Sequence, residues 1–179
     1  MRWTELFDDM AAQLVHEERL ALEQEVADRR LRDTAEVVLV HRLAATPSDV
    51  SLQLLDGSWR TGTWAGSGDG WVVLAQAGAA GRQVLVPLSA VGLVRGVGAR
   101  SAPGLPPAAR RPLVLALRGL GAADLPVLVT TRSATVRGTL GRVGADHVDV
   151  EVPAAARGAR RDVVTVPFGA LLAVEEGPG

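Results

Sequence analysis

Two hydrophobic rhythms divide the chain. Trp3, Leu6, Phe7, Met10, Leu14, Ala21, Leu22 and Val26 recur at three- and four-residue spacing, and no Gly or Pro falls between Thr4 and Asp33. That period predicts one amphipathic helix over residues 1–35. Its ends agree: Thr4 can cap the start, Glu5, Asp8 and Asp9 sit at the positive end of the helix dipole, and Arg29, Arg30 and Arg32 sit at the negative end. At about 1.5 Å per residue such a helix would be about 45 Å long, so part of it projects or packs on a partner.

From Val37 the period shortens to two and strands are predicted. Glu36 to Val40 reads as a first short strand. Val50, Leu52 and Leu54 then share one face before Asp56-Gly57, a strong hairpin turn signal. A second turn at "GSGDG" leads into "WVVLA", and "VLVPLSAVGLV" closes the series as a hairpin built on a proline and one small turn. Residues 96–112, "GVGARSAPGLPPAARRP", show no period and read as a linker.

After the linker the plan repeats. "LVLALRGL" answers "VVLVHRLA", "VLVTTRSATVRGTL" answers "VSLQLLDGSWRTGTW", "VGADHVDVE" answers "SGDGWVVLA", and "VTVPFGALLAV" answers "VLVPLSAVGLV". Gly62 and Gly138 anchor the register at an offset of 76 positions, and Val84 and Val164 continue it at 80. The duplication predicts two copies of one small five-stranded barrel. The organisation is then a helix at 1–35, a first barrel at 36–95, a linker at 96–112 and a second barrel at 113–176.

The pattern resembles the Sm-like fold, the SH3-type barrel of Sm and Hfq-type proteins, which also carry an N-terminal helix. The resemblance rests on Asp56, Gly57 and Gly62, on Val143, Gly144, Ala145 and Asp146, and on the closing "VPLSAV" and "VPFGAL". It implies a mainly β chain: a long N-terminal α-helix followed by two tandem Sm-like barrels. The layout is also similar to an uncharacterised actinobacterial protein family. Hfq-type chaperones bind RNA through a Tyr-Lys-His triplet in the last hairpin. Here those positions read Pro87-Leu88-Ser89 and Pro167-Phe168-Gly169, so that site is not carried over. Arg60 is a further departure. It falls where the second repeat has Val136, on an inward face, and a buried arginine needs a partner.

Composition narrows the functions. The chain has 179 residues, 47% of them apolar, and no cysteine, so disulfides and thiolate metal sites are excluded. All 19 basic residues are arginine, which excludes a phosphate-binding P-loop lysine and a Schiff-base lysine. No apolar run reaches a membrane span and the first residues are acidic where a signal peptide is basic, so a cytoplasmic protein without membrane association is expected. The net charge is -1, but residues 1–36 hold five arginines against ten acids, so the positive surplus lies in the remainder.

Three groups of residues compete for a role. Trp3, Phe7 and Met10 on the helix and Trp71 on its strand could meet a protein partner, a second copy of the chain included. Arg95, Arg142, Arg157, Arg160 and Arg161 could neutralise phosphates of RNA or DNA, although a chain without tyrosine offers few stacking platforms. His147, Asp149 and Glu151 share one face of a strand next to Asp146, and that run reads as a solvated face, not a metal site. His16, His41 and His147 are scattered with no nucleophile motif. The expected function is a non-catalytic interaction module, a scaffold or regulator for a protein partner, with no cofactor and no metal. The alternative is a nucleic-acid-binding regulator that uses the arginines of the second repeat and linker.

Overall fold

The Asp56–Gly57 turn forms as its sequence predicts. In the computed structural model, which describes residues 38–76, 81–102, 111–153 and 162–177, Gly57 takes a φ of 85°, a conformation glycine adopts without steric cost. Asp56 Oδ1 accepts hydrogen bonds from the Ser58 amide at 2.9 Å and the Ser58 hydroxyl at 2.7 Å, which closes the turn. The strands it joins are β1 (Val50–Leu54) and β2 (Trp59–Gly68), paired antiparallel with Val50 opposite Gly62. β3 (Trp71–Ala75), β4 (Gln83–Pro87) and β5 (Val91–Arg95) complete the first repeat. The second repeat supplies β6 (Pro126–Thr131), β7 (Thr135–Val143), β8 (His147–Val152), β9 (Asp162–Pro167) and β10 (Leu171–Glu176).

The duplication is visible in the backbone. A Cβ on Gly62 would run into the Ala75 carbonyl and one on Gly138 into the Glu151 carbonyl, so both glycines serve the same close approach of neighbouring strands. Likewise the Trp71 ring lies over Gly68 and the His147 ring over Gly144. Two different side chains fill equivalent places because each faces a residue with no side chain.

The β-rich reading holds, but the two separate barrels do not form. All ten strands belong to one antiparallel sheet, in the order β5-β1-β2-β3-β4-β10-β6-β7-β8-β9. Closing either half on itself would require β4 to pair with β5, or β9 with β10. Instead β4 pairs with β10 across the repeat boundary, Leu85 opposite Val174 and Val84 opposite Glu175. β5 and β9 are left as the two ends of an open sheet.

The closing "hairpins" are also corrected. One 3-10 turn at Leu88–Ala90 and another at Phe168–Ala170 separate the flanking strands, which then pair elsewhere: β5 with β1, and β10 with β6. The strand expected at 36–40 gives way to a short helix α1 (Leu39–Ala44), and "LVLALRGL" forms helix α2 (Leu113–Ala122). β1 already has β2 and β5 as neighbours, and β6 has β7 and β10, so no pairing position is open for a further strand beside β1 or β6. The helix expected over residues 1–35 lies outside the described residues.

The described residues from Leu39 onward form one unit with two core clusters, and both cross the repeat boundary. Leu172 and Ala173 of β10 join Val50, Leu52, Leu54, Val72, Leu74, Val84 and Val86 of the first repeat. Conversely, Trp71 and Leu85 of the first repeat join Leu117, Val127, Val129, Val148 and Val150 of the second. β4 and β10 are therefore buried on both faces. The start of the expected linker is fixed as well. Arg42 Nε donates to the Gly98 carbonyl at 3.1 Å, and Thr46 Oγ1 accepts from the Gly98 amide at 3.1 Å.

Candidate interaction surface

The seam between β4 and β10 combines backbone pairing with a charged lock. Arg60 on β2 donates from Nε to Glu175 Oε1 on β10 at 2.7 Å, and from its Nη groups to Ser58 Oγ, the Trp59 carbonyl and Thr130 Oγ1. The partner that a partly buried arginine requires thus comes from the other repeat. Glu176 Oε2 accepts from the Gln83 backbone amide at 3.2 Å and extends the seam beyond its last paired residues.

The repeat counterparts of the seam strands, β5 and β9, are more exposed at the sheet's two ends. Leu93 on β5 is 57% exposed, whereas Ala173, its counterpart on β10, is fully buried. On β9, Val163 is 53% exposed, and Val164 and Thr165 are more open than their counterparts Val84 and Leu85. Leu55, whose side chain borders Gly92, adds to the apolar surface at the β5 end. Burial differs because the seam strands have a neighbour on each side and the edge strands have one. Repeat arithmetic carried this signal: Leu93 and Ala173 occupy the same place in the two closing segments. Neither Leu93 nor Val163 stands out in the sequence as a candidate contact, because edge position is not a local property.

A second surface lies where α2 meets the sheet. Pro112 precedes α2 in extended conformation with φ of -61°, and Leu117 points into the second core. The Arg111 carbonyl accepts from Trp71 Nε1 at 2.8 Å and from the Asp69 amide at 2.9 Å, which fastens the start of α2 to the first repeat. Arg118 donates to the Val143 carbonyl at 3.2 Å from the middle of the helix. A shallow hollow lined by Trp71, Val73, Leu85, Leu115 and Leu120 runs along this junction. Trp71, selected from the sequence as a partner contact, is buried with its indole N–H satisfied, so it acts here as a clasp between the repeats.

The remaining sequence candidates do not converge. Trp3, Phe7 and Met10 lie outside the described residues, and so do Arg157, Arg160 and Arg161. Arg95 is exposed at the β5 edge with its guanidinium 4.6 Å from the centre of the Trp59 ring, a cation–π arrangement. Arg142 is exposed on β7. His147 Nδ1 lies 2.8 Å from Asp146 Oδ1, and Asp149 Oδ1 accepts from the Thr165 hydroxyl at 2.6 Å. The hydrogen bond from His147 holds the Asp146 carboxyl below its usual range, and the Ser58 hydroxyl and amide do the same for Asp56. Among the described residues no group of three or more His, Asp and Glu side chains is placed to hold a metal ion. No described helix is long and apolar enough to cross a membrane. Neither the protein-family models nor the curated protein sequences contain a match to this chain.

Proposed function

We propose that this protein is a non-catalytic scaffold that binds protein partners by strand addition at the two open edges of its sheet. The observation that carries the reading is the exposure of Leu93 on β5 beside the full burial of its counterpart Ala173 at the internal seam. An edge strand presents a row of backbone donors and acceptors, and apolar side chains beside it reward a neighbour that covers them. Proteins that must stay apart blunt such edges with charge or proline. Here the charges and the proline stand only at strand ends, Asp162 and Pro167 on β9 and Arg95, stacked on Trp59, on β5, while Leu93 and Val163 are left at the surface. His147, Asp146 and Asp149 are engaged in local hydrogen bonds, which fits a structural surface better than a reactive one. The reading places the protein in the cytoplasm, where a cysteine-free chain loses nothing by lacking disulfides.

The experiment is site-specific photo-crosslinking in the producing cell, with the reactive side chain at Leu93, at Val163 and, as a control, at Leu115 on α2. Protein crosslinks at the two edge positions are expected. Crosslinks from Leu115 alone would move the binding surface to α2, and crosslinks to nucleic acid would overturn the protein-scaffold reading.

A further inference from the structure

The sheet contains its own template for what covers its edges. β4 and β9 are equivalent strands, and so are β5 and β10. Inside one chain β4 of the first repeat receives β10 of the second. At the ends of the sheet β9 and β5 each lack that neighbour among the described residues. We propose that β9 of one copy receives β5 of a second copy, so that chains join head to tail along one extended antiparallel sheet. The proposal rests on the reading of the edges as the protein-binding surface, and it names the partner as the chain itself.

The register follows from the repeat. Val174 faces Leu85 and Glu175 faces Val84 at the internal seam. An offset of 80 positions carries these pairs to Val94 facing Thr165 and Arg95 facing Val164 between copies. Leu93 would then take the covered place that Ala173 holds at the seam. The contact is heterologous: each copy that uses its β5 still presents a free β9, so association proceeds past the dimer.

The outer junction differs from the inner one in strength. Glu175, which locks the internal seam to Arg60, has Arg95 as its counterpart, and Arg60 itself has Val136. Gln83 corresponds to Val163. In place of the ion pair stand Val136 and Arg95, the latter already stacked on Trp59 of its own copy, so no pair of opposite charges spans the outer junction at this position. A junction built this way is weaker than the covalently assisted seam, reversible, and insensitive to salt.

The test is sedimentation of the purified full chain and two variants, Leu93→Lys and Val163→Lys. Both positions are more than half exposed, so an unchanged circular dichroism spectrum and melting temperature are expected for each. The wild-type mass should rise with concentration above the 18.7 kDa of one chain. Each variant alone should remain monomeric, because one of its edges carries an uncompensated charge. An equal mixture should recover a dimer and stop there, since the intact β9 of Leu93→Lys can receive the intact β5 of Val163→Lys. Register is read separately: the chain has no native cysteine, so Val94→Cys and Thr165→Cys should form a disulfide when mixed and not when oxidised alone.

A wild-type chain that stays monomeric throughout overturns the proposal, as does a Leu93→Lys variant that still self-associates or a mixture that fails to. If the edge crosslinks capture only other proteins, the scaffold reading stands and self-assembly fails. If Leu93 and Val163 capture no protein at all, both fail.

Discussion

Arg60 Nε and Glu175 Oε1 lie 2.7 Å apart although they come from different repeats, and this ion pair ties β2 to β10 on either side of the internal seam. Both side chains are largely covered, so removing one leaves the other poorly solvated and without its charge partner. Glu175→Gln should therefore cost about 1–3 kcal/mol of unfolding free energy. The double variant Arg60→Met/Glu175→Leu should cost less than the sum of the two single changes, as read by chemical denaturation. Additive losses would show that the pair is not coupled.

Leu172 belongs to the second repeat by sequence and to the first core by position. Leu172→Ala should cost about 2–5 kcal/mol, the usual range for emptying a buried leucine site. The unfolding transition should remain single, because the repeats share their cores. Two separated transitions would mean that the halves fold as independent domains.

Gly62 and Gly138 each face a backbone carbonyl that an added methyl group would strike, whereas Gly66 and Gly169 open onto free space. Gly62→Ala and Gly138→Ala should each lower stability by about 2 kcal/mol or more, since a backbone carbonyl cannot move aside cheaply. Gly66→Ala and Gly169→Ala should be nearly neutral in the same thermal melts.

The sequence disclosed the strands more readily than their neighbours. Asp56-Gly57, the alternation of Val50, Leu52 and Leu54, and the repeated Gly62 and Gly138 all report local backbone geometry, and each stands where it was expected. The run at Leu113–Leu120 reads as a strand through its match to residues 37–44, because its five leading apolar residues show no decisive period. Pro112 at its start and the lack of a pairing position beside β6 settle it as a helix. Pairing of β4 with β10 is a long-range choice that no local signal encodes. The nearest hint was that "VLVP" and "LLAV" are apolar at successive positions, as strands covered on both faces are. Arg60 was legible as needing a partner, but Glu175, 115 positions away, was not legible as that partner.

Acid should weaken the fold through two turns. Asp56 and Asp146 are held below the usual carboxylate range by Ser58 and His147, so their folded values lie under their unfolded ones. The stability they contribute is present above the unfolded value of about 4 and is lost as pH falls through the lower folded values. Asp56→Asn and Asp146→Asn should each flatten the dependence of melting temperature on pH in that acidic window. Variants that melt in parallel with the wild type would remove these turns from the account.

The scaffold reading also predicts an absence of salt-sensitive nucleic-acid binding. Fluorescence anisotropy with mixed-sequence single-stranded RNA and duplex DNA should show no binding at about 50 mM salt, where phosphate contacts are strongest. Binding that collapses by about 200 mM would transfer the site to the arginines, Arg95 and Arg142 among them.

Hydrogen–deuterium exchange of the purified chain at low and high concentration tests the use of the open edges most directly. Amides of β4 and β10 should be protected at both concentrations, and those of β5, Val91–Arg95, and β9, Asp162–Pro167, should gain protection only in the concentrated sample. Edges that exchange at one rate throughout, or concentration-dependent protection confined to α2, would contradict the account.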